Sequence, residues 1–237
     1  MARAALITGA GRRIGRAIAL ELAAAGWDIA VHYRRSEADA EATAAAVRQA
    51  GRAAERFRAD LASAAEATGL AEAVLDGMPH CELLVNNASL FLPGSLAETD
   101  ADRLDTQMAV NLRAPLLLLR AFAAGRTGGQ VVNLLDTRVA RTVTDHFAYT
   151  LTKKALAELT RMAAKALAPA WRVNAVCPGL ILPPPGEDPA YLDRMAGRVP
   201  LQRTGTPEDI ARAVRYLAEN EFVTGQALFV DGGESLL

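Results

Sequence analysis

Short apolar runs alternate with longer segments of helical spacing along the whole chain. The apolar runs cover residues 3–8, 27–33, 53–58, 82–85, 131–135, 171–176 and 227–230. Helical patterns follow Gly15, Asp100 and Tyr149 (the last to about Ala168) and also cover 37–50, 63–76, 189–196 and 206–220. Short apolar runs are typical of buried strands. Because they alternate with helices throughout, the pattern predicts an α/β fold, a doubly wound parallel sheet of about seven strands with helices on both faces.

The composition fits one domain spanning residues 1–237. Hydrophobic residues make up 51% of the chain, enough for a full core, and the formal net charge is −1. The lack of a polybasic run argues against nucleic acid and a membrane surface as partners, and the few aromatic residues argue against base stacking. The first residues do not resemble a signal peptide, and no apolar run approaches membrane-spanning length.

Cysteine and histidine usage gives two further expectations. Cys81 and Cys177 lie beside strand-like runs, so we expect small core residues in a reducing compartment, which favours a cytoplasmic protein. His32, His80 and His146 are scattered, and no Cys/His cluster has metal-ligand spacing. We therefore expect no metal site.

A glycine turn follows the first apolar run. The stretch Thr8–Gly15 stands between this strand and a segment with helical spacing. Gly9 and Gly15 permit a tight turn and a close backbone approach, and a helix N-terminus offers free N–H groups to a pyrophosphate. The context favours dinucleotide binding over a plain strand-to-helix turn.

The end of the second strand suggests which dinucleotide binds. Arg34, Arg35 and Ser36 stand where an NAD-selective fold usually has Asp or Glu. Guanidinium groups and a hydroxyl suit a 2′-phosphate, so the sequence favours NADPH over NADH. The alternative is a solvated loop in which Ser36 caps the next helix.

The third and fourth strands also end in polar residues. Asp60 is placed either to bind an adenine amino group or to cap the helix 63–76. The amides of Asn86 and Asn87 are expected to tie neighbouring strands and brace the cofactor, and the alternative is an ordinary turn. Phe91, in the loop that follows, is either a loop anchor or a flat wall for a planar substrate.

Asp136 to Lys153 has the layout of a reductase active site. Tyr149 and Lys153 are four residues apart at a helix start and leave the same face. An ammonium beside a phenol lowers its pKa, and such a pair suits proton delivery to an atom that has just received a hydride. Asp136 ends the fifth strand, where an open α/β sheet places its ligand crevice. Alternatively these residues are a helix-start tyrosine, a solvated lysine and a turn aspartate.

Two other segments border this region. Pro115 lies four residues after Asn111 and is expected to kink the helix there, which would free a carbonyl to hold a water next to Lys153. Residues 180–189 are proline-rich, and this stiff, non-helical stretch beyond a strand end suits a substrate-side loop or lid.

Six motifs in order resemble those of short-chain dehydrogenases/reductases over the whole chain. They are Thr8-Gly9 to Gly15, Asn86-Asn87-Ala88, Asn111, Tyr149-x-x-x-Lys153, Pro178-Gly179 and Asp231-Gly232-Gly233. The resemblance implies a Rossmann-type fold that binds a nicotinamide cofactor.

Two departures resemble the pteridine reductase branch of that family, which includes the bacterial dihydromonapterin reductases. Asp136 replaces the usual catalytic serine, and Arg13 replaces a glycine of the turn. The segments His32-Tyr33-x-Arg35-Ser36 and Asn87-Ala88-Ser89-x-Phe91 also match this branch. The resemblance implies NADPH-dependent reduction of a pterin ring, usually by a homotetramer.

The resemblance also implies individual roles. Asp136 and Tyr149 relay a proton to a ring nitrogen, while Lys153 holds the nicotinamide ribose and lowers the pKa of Tyr149. Arg13 reaches the cofactor phosphates and the pterin edge. Phe91 stacks the pterin against the nicotinamide, and this fixes the hydride distance. Ser89 touches both ligands, and Leu180 with the proline-rich loop walls the substrate side chain.

Three sets of site residues result. The catalytic set is Asp136, Tyr149, Lys153 and Asn111. The cofactor set is Gly9, Arg12, Arg13, Ile14, Gly15, His32, Tyr33, Arg34, Arg35, Ser36, Asp60, Leu61, Asn87, Ala88, Ser89, Tyr149, Lys153, Pro178, Gly179 and Leu180. The substrate set is Arg13, Ser89, Phe91, Asp136, Tyr149 and Leu180.

The sequence therefore supports an NADPH-dependent pteridine reductase acting on a small dihydropterin, assembled as a homotetramer through the long helices around 100–123 and 146–168. A carbonyl reductase of the same fold, for instance a 3-oxoacyl thioester reductase in which Asp136 merely substitutes for serine, is the first alternative. A non-catalytic NADPH-binding regulator is the second, and the intact Tyr149, Lys153 and Asn111 argue against it.

Overall fold

Seven parallel strands form a single sheet in a computed structural model that describes residues 3–184, 186–188 and 190–237. The strands are β1 Arg3–Ile7, β2 Trp27–Tyr33, β3 Ala54–Arg58, β4 Cys81–Asn86, β5 Gly129–Leu134, β6 Trp171–Pro178 and β7 Ala227–Val230. Their order across the sheet is β3-β2-β1-β4-β5-β6-β7. The chain changes direction between β1 and β4, and a crevice opens there at the carboxyl ends of the strands. The predicted doubly wound sheet is confirmed.

Eight α-helices connect these strands within the described residues. They are α1 Arg13–Ala24, α2 Glu37–Gln49, α3 Ala64–Gly77, α4 Ala101–Met108, α5 Ala114–Gly125, α6 Phe147–Leu167, α7 Tyr191–Ala196 and α8 Pro207–Glu219. Capping hydrogen bonds fix the first residues of several of these helices. The Ser63 hydroxyl accepts the Glu66 N–H, and Thr206 and Asp209 form a reciprocal capping box.

The sheet is buried on both faces, and alternate residues of β1 show how. Ala5 and Ile7 pack into the cluster that contains Ile18 of α1 and Val214 of α8. Their neighbours Ala4 and Leu6 point to the opposite cluster, formed with α3 and α5. Since side chains of a strand alternate between faces, this continuously apolar strand serves two cores, each fully buried aliphatic side chain contributing roughly 1.5–3 kcal/mol.

An irregular turn separates α4 from α5. Residues Ala109–Arg113 form a π-helical segment centred on Asn111. Pro115 at the start of α5 has no N–H to give to residue 111, and the wider turn accommodates its ring. The predicted irregularity of the helix at Asn111 is therefore confirmed.

The continuous helical stretch Ala101–Gly125 is long and apolar enough, by length and composition alone, to cross a membrane. Polar Asn111 and charged Arg113 and Arg120 interrupt this stretch, so it is not a continuous apolar run. A buried core helix meets the same criterion, and Leu118 and Phe122 of α5 are fully buried beneath the sheet. This single helix is weak evidence for a membrane span.

Smaller differences concern strand ends and cysteines. The sixth strand extends past the predicted residue 176, because Cys177 and Pro178 pair with Phe229 and Val230 of β7. The fifth strand begins at Gly129, two residues before the prediction, since Gly129 pairs with Trp171. Cys81 and Cys177 are free and fully buried, as predicted for core residues.

Candidate active site

The glycine turn is held against β2 by a histidine. The Gly9 N–H, in a left-handed residue with φ +67°, donates to Nδ1 of His32 at 3.0 Å. The ring's Nε2 lies 3.1 Å from the carbonyl oxygen of Ala59, so Nε2 carries the proton and donates it. Burial lowers the pKa of His32 to about 4. His32 is therefore a neutral clamp that joins the turn, β2 and the end of β3.

Close packing explains the second glycine of the turn. A Cβ on Gly15 would meet the Gly9 carbonyl and would lie 2.6 Å from Nδ2 of Asn87. That amide donates to the carbonyl oxygen of Thr8 at 2.8 Å, and the Thr8 hydroxyl accepts the N–H groups of Asn87 and Ala88. The turn is thus fixed to the end of β4, and only glycine permits this approach.

Arg13 occupies a backbone conformation that favours glycine. Its φ is +53°, in the left-handed region that costs a residue with a Cβ roughly 1–2 kcal/mol. Its guanidinium donates from Nη2 to the Pro183 carbonyl at 2.9 Å. The side chain therefore links the glycine turn to the proline-rich segment beyond β6, across the mouth of the crevice.

A cleft of about 580 Å³ runs along these turns, a volume in the usual range of small-molecule and cofactor sites. Its lining includes the predicted cofactor residues Gly9, Arg12, Arg13, Ile14, Gly15, His32, Tyr33, Arg34, Arg35, Ser36, Asp60, Leu61, Asn87, Ala88 and Ser89. Gly11, Ala59, Leu90 and Val110 also line it and were not predicted. Tyr149, Lys153, Pro178, Gly179 and Leu180 lie outside this lining.

The positive charges at the end of β2 face the cleft. Arg34 lies 3.8 Å from Asp60, while the exposed Arg35 makes no ion pair among the described residues. Ser36 stands at the N-cap of α2, yet within the described residues its hydroxyl makes no capping bond. Asp60 does not cap α3, since Ser63 has that role. Arg35 and Ser36 therefore retain donors for an anionic ligand.

Asparagine amides tie the neighbouring strand ends. Asn86 of β4 donates to Oδ1 of Asn133 in β5 at 2.8 Å, and Asn133 donates to the Thr160 hydroxyl of α6 at 2.9 Å. The prediction that Asn86 and Asn87 bind neighbouring strands, rather than forming an ordinary turn, is confirmed.

Asn111 holds the loop that follows β4. Its Oδ1 accepts the Leu90 N–H at 2.8 Å and the Ser89 hydroxyl at 3.1 Å. Its Nδ2 donates to the Leu90 carbonyl at 2.9 Å and to the Thr152 hydroxyl of α6 at 3.1 Å. The side chain is 1% exposed. Asn111 thus positions the loop carrying Ser89 and Phe91 against the helix that carries Tyr149.

Asp136 and Tyr149 form a direct hydrogen bond, as their predicted pairing requires. The Tyr149 hydroxyl donates to Oδ2 of Asp136 at 2.8 Å, and Oδ1 accepts the backbone N–H of Arg138 at 2.9 Å. Burial, and then the adjacent Asp136 charge, raise the pKa of the Tyr149 phenol well above its ordinary value. Tyr149 is therefore protonated throughout the neutral range, and its proton is directed at a carboxylate.

Lys153 is placed differently from the expectation. Its ammonium donates to the Leu134 carbonyl at 2.7 Å and lies 5.6 Å from the centre of the Tyr149 ring. Burial lowers the pKa of Lys153 to about 8. The expected lowering of the Tyr149 pKa is wrong for this structure, because the phenol is buried beside a carboxylate whose charge opposes its ionisation.

Phe91 packs among residues of the active-site loop. Its ring is stacked on His146 at 4.0 Å between centroids, with an angle of 9°, and meets the Tyr149 ring edge-on at 4.6 Å. The Arg138 guanidinium carbon lies 5.8 Å from its centroid. Asp145 pairs with Arg138 at 2.9 Å, and the hydrogen bond from that guanidinium lowers the pKa of Asp145 to about 2. Phe91 is thus both anchored and adjacent to Tyr149.

The segment after β5 is braced by the Asp231-Gly232-Gly233 motif. Thr137 donates to Oδ2 of Asp231 at 2.8 Å, and Asp231 also accepts the N–H groups of Gly233 and Ser235. A Cβ on Gly179 would lie 2.6 Å from the Asp231 backbone. This motif and Gly179 therefore act on the site by fixing the short helical turn after Asp136.

Sequence reasoning gave no role to four further residues of the site. Thr8, Arg138, His146 and Thr152 contact the predicted residues through the bonds and stacking described above. Arg138 and His146 lie inside the quoted stretch 136–153, but nothing in their spacing marks them. Their roles depend on how two loops fold together.

The proline-rich stretch is described in part. Leu180, Ile181 and Pro183 belong to an irregular segment after β6, and Pro185 and Pro189 lie outside the described residues. The assignment of residues 180–189 as a lid therefore stays a prediction. Within the described ranges, the chain contains no group of three His, Cys, Asp or Glu side chains placed to hold a metal ion.

The fold and the site match known proteins. Residues 9–235 match a family model described as enoyl-(acyl carrier protein) reductase, one of the short-chain dehydrogenase/reductase models. The chain belongs to the short-chain dehydrogenase/reductase family and is an oxidoreductase. The predicted family is confirmed over nearly the whole length.

Several relatives share that architecture. An uncharacterized oxidoreductase of Mycobacterium tuberculosis is 37% identical over 98% of this chain and 91% of its own. Pteridine reductase 1 of Leishmania tarentolae is 32% identical, with 98% and 96% covered. The 3-oxoacyl-[acyl-carrier-protein] reductase FabG of Staphylococcus aureus is 31% identical, with 98% of each chain covered.

A solved structure with similar backbone contains a cofactor. The alternative dihydrofolate reductase 1, FolM, of Brucella suis was crystallised in complex with NADP. It is 38% identical, with a TM-score of 0.95 and 99% of this chain and 96% of that chain covered.

Proposed function

We propose that this protein is an NADPH-dependent pteridine reductase that adds a hydride to a C=N bond of a dihydropterin. The observation that carries the proposal is the 2.8 Å hydrogen bond between Tyr149 and Asp136 within an otherwise regular reductase site. A carboxylate at that position would repel the alkoxide that develops when a carbonyl is reduced. Reduction of C=N instead creates a basic nitrogen, which needs a proton.

The protein residues provide that proton. Tyr149 is buried and protonated, and Asp136 holds its hydroxyl in one orientation. The pair delivers a proton to the ring nitrogen next to the reduced carbon, in the manner of a positioned general acid. Arg138 donates its backbone N–H to the same carboxylate and so fixes it from the other side.

The cleft residues fit an NADP-type cofactor, which supplies the hydride when bound. The Gly9–Gly15 contact leaves no room for a Cβ, as a turn that approaches a pyrophosphate requires. Arg34, Arg35 and Ser36 line the cleft at the end of β2 and suit the 2′-phosphate. The NADP complex of the Brucella FolM protein supports the same choice.

Phe91 is the proposed stacking surface for the pterin. His146 covers one face of the ring, and the proposal places a planar substrate on the opposite face, near the Tyr149 ring that meets Phe91 edge-on. Ser89 is held by Asn111 at the rim of the cleft and touches both ligands in this arrangement. The names of the Leishmania pteridine reductase and the Brucella dihydrofolate reductase support this class of substrate.

A second candidate is a 3-oxoacyl thioester reductase. The similarity to the 3-oxoacyl-[acyl-carrier-protein] reductase FabG of Staphylococcus aureus favours it. In that case Asp136 substitutes for a serine without changing the reaction.

The test is NADPH oxidation by the purified protein with dihydromonapterin, dihydrobiopterin, dihydrofolate and an acetoacetyl thioester, each repeated with NADH. We expect turnover of a dihydropterin, with NADPH preferred. Replacing Asp136 by Ser is expected to reduce pterin turnover by about 10²-fold or more, since the carboxylate that orients the Tyr149 proton donor is lost. Turnover of the thioester alone, retained in D136S, would identify a ketoreductase instead.

A further inference from the structure

A second cavity of about 240 Å³ lies beside the active site. It is bordered by the turn after β5, by Leu180 after β6, by the end of α7 and by the C-terminal residues 234–237. Three arginines line it: Arg138, Arg141 and Arg198. None of the motifs that define the reductase site includes Arg141 or Arg198.

The side chains that line this cavity carry more positive than negative charge. Asp145 pairs with Arg138 at 2.9 Å, and Glu234 lies 3.5 Å from Arg141, beyond the usual length of an N–H···O hydrogen bond. Arg198 has no ion-pair partner among the residues that the structure describes. Among the side chains that line the cavity, three guanidiniums therefore face two carboxylates. Burial, and then the charge of Asp136, raise the pKa of Glu234.

The cavity adjoins the proposed pterin position through two shared residues. Arg138 lines the cavity, and its guanidinium carbon lies 5.8 Å from the centre of the Phe91 ring. Leu180, the predicted wall for the substrate side chain, lines the same cavity. A substituent on a ring stacked at Phe91 thus has the cavity within reach.

Its size and chemistry suit part of a ligand rather than a whole one. A volume of about 240 Å³ is smaller than most sites that hold an entire small molecule, roughly 300–1,000 Å³. Val143, Met195 and Val199 provide apolar walls between the arginines. Such a lining fits an apolar or aromatic spacer that ends in an anion.

We propose that this cavity binds an anionic group, a carboxylate or a phosphate, at the end of the substrate's side chain, with Arg141 and Arg198 as its ligands. The proposal rests on the proposed function, because it assigns a side chain to the pterin bound at Phe91. Planar guanidiniums recognise both kinds of anion through paired N–H donors.

The test compares three dihydropterins on the NADPH-loaded enzyme and its variants Arg141→Ala and Arg198→Ala. Dihydrofolate supplies carboxylates, dihydroneopterin monophosphate supplies a phosphate, and dihydromonapterin has a neutral side chain. A charged hydrogen bond contributes about 1.5–3 kcal/mol, so we expect KM for the preferred anionic substrate to rise about tenfold or more in each variant. KM for dihydromonapterin should stay within about twofold of that of the parent enzyme.

Arg194→Ala is the matched control. Arg194 belongs to the same short segment, pairs with Asp188 on the surface and does not line the cavity. This variant removes the same charge, and we expect no selective increase of KM for the anionic substrates. Equal KM increases for neutral and anionic substrates, or no increase in R141A and R198A, would overturn the proposal.

A binding measurement separates this proposal from the proposed function. Calorimetric titration of the NADPH-loaded protein with p-aminobenzoyl-glutamate and with inorganic phosphate requires no turnover. The anion site is supported if either probe binds the parent protein and binds about tenfold more weakly to R198A but not to R194A. This result would stand even if no dihydropterin is reduced. If neither probe binds and no anionic substrate is preferred, the anion site is refuted while pterin reduction can still stand.

Discussion

Asp136 is the residue that most sharply distinguishes this site from that of an ordinary carbonyl reductase. A serine hydroxyl can donate to a substrate oxygen, whereas the Asp136 carboxylate only accepts hydrogen bonds, from the Tyr149 hydroxyl and the Arg138 N–H. One substitution therefore changes both the charge of the site and the direction of its hydrogen bonds. Burial, and then the Asp136 charge, raise the pKa of Tyr149 where the motif alone predicts a decrease.

His32 is a second residue whose protonation state matters, because it accepts the Gly9 N–H with Nδ1. Burial lowers its pKa to about 4 from 6.5. Between about pH 4 and pH 6.5 His32 is therefore protonated in the unfolded chain but neutral in the folded protein. The free energy of unfolding has its full value above pH ~6.5 and decreases as pH falls towards ~4. At about 1.4 kcal/mol per pKa unit, we expect His32 to cost roughly 3 kcal/mol of unfolding free energy at the acid end.

Urea unfolding of the protein between pH 7 and pH 4 measures this dependence. His32→Gln should be less stable at pH 7, since a flexible amide replaces the buried ring that bridges Gly9 and Ala59, and should show a shallower decrease towards acid pH. His146→Gln, at a half-buried position, is the control and should keep most of the slope. An unchanged slope in H32Q would show that other groups cause the acid sensitivity.

Among the structural elements, the parallel strands and the glycine turn could be predicted because their signals are local. Apolar runs in the sequence indicate the strands, and the glycines of the turn mark positions where the structure has no room for a Cβ. The irregular turn at Asn111 followed from Pro115 in the same helix. The stacking of His146 on Phe91 could not be predicted, because it joins two loops whose relative position depends on the whole sheet. The same holds for the cavity around Arg198.

The glycine turn also contains a conformational conflict at Arg13. Its φ of +53° suits glycine, while its guanidinium reaches the Pro183 carbonyl. We expect Arg13→Gly to be more stable than Arg13→Ala by about 1 kcal/mol, because Ala retains the strained Cβ. If Arg13 binds the cofactor phosphates as predicted, both variants should bind NADPH about tenfold more weakly, since that charged donor is lost.

Thermal unfolding without cofactor and fluorescence titration with NADPH separate the two effects. Arg16→Ala, an exposed residue in the first turn of α1, is the matched control for loss of charge. NADPH affinity that is unaltered in R13G would show that Arg13 serves only the contact with the proline-rich segment.

At the scale of the whole molecule, apolar side chains remain exposed on the two long helices around the active site. Leu116 of α5 is 44% exposed, and Leu151 and Met162 of α6 are 45% and 63% exposed. These are the helices that the sequence predicted as the subunit interface. Exposed apolar side chains on neighbouring helices are typical of a surface that pairs with a second copy.

We expect a homotetramer of about 100 kDa, four copies of a 25.1 kDa chain, in size-exclusion chromatography with light scattering. Met162→Glu should produce a smaller species, because an unpaired charge buried in an interface costs several kcal/mol. Ala50→Glu, at an exposed position after α2, adds the same charge elsewhere and should leave the mass unchanged. A monomeric parent protein would refute the assembly, whereas a tetramer that persists in M162E would move the interface away from this part of α6.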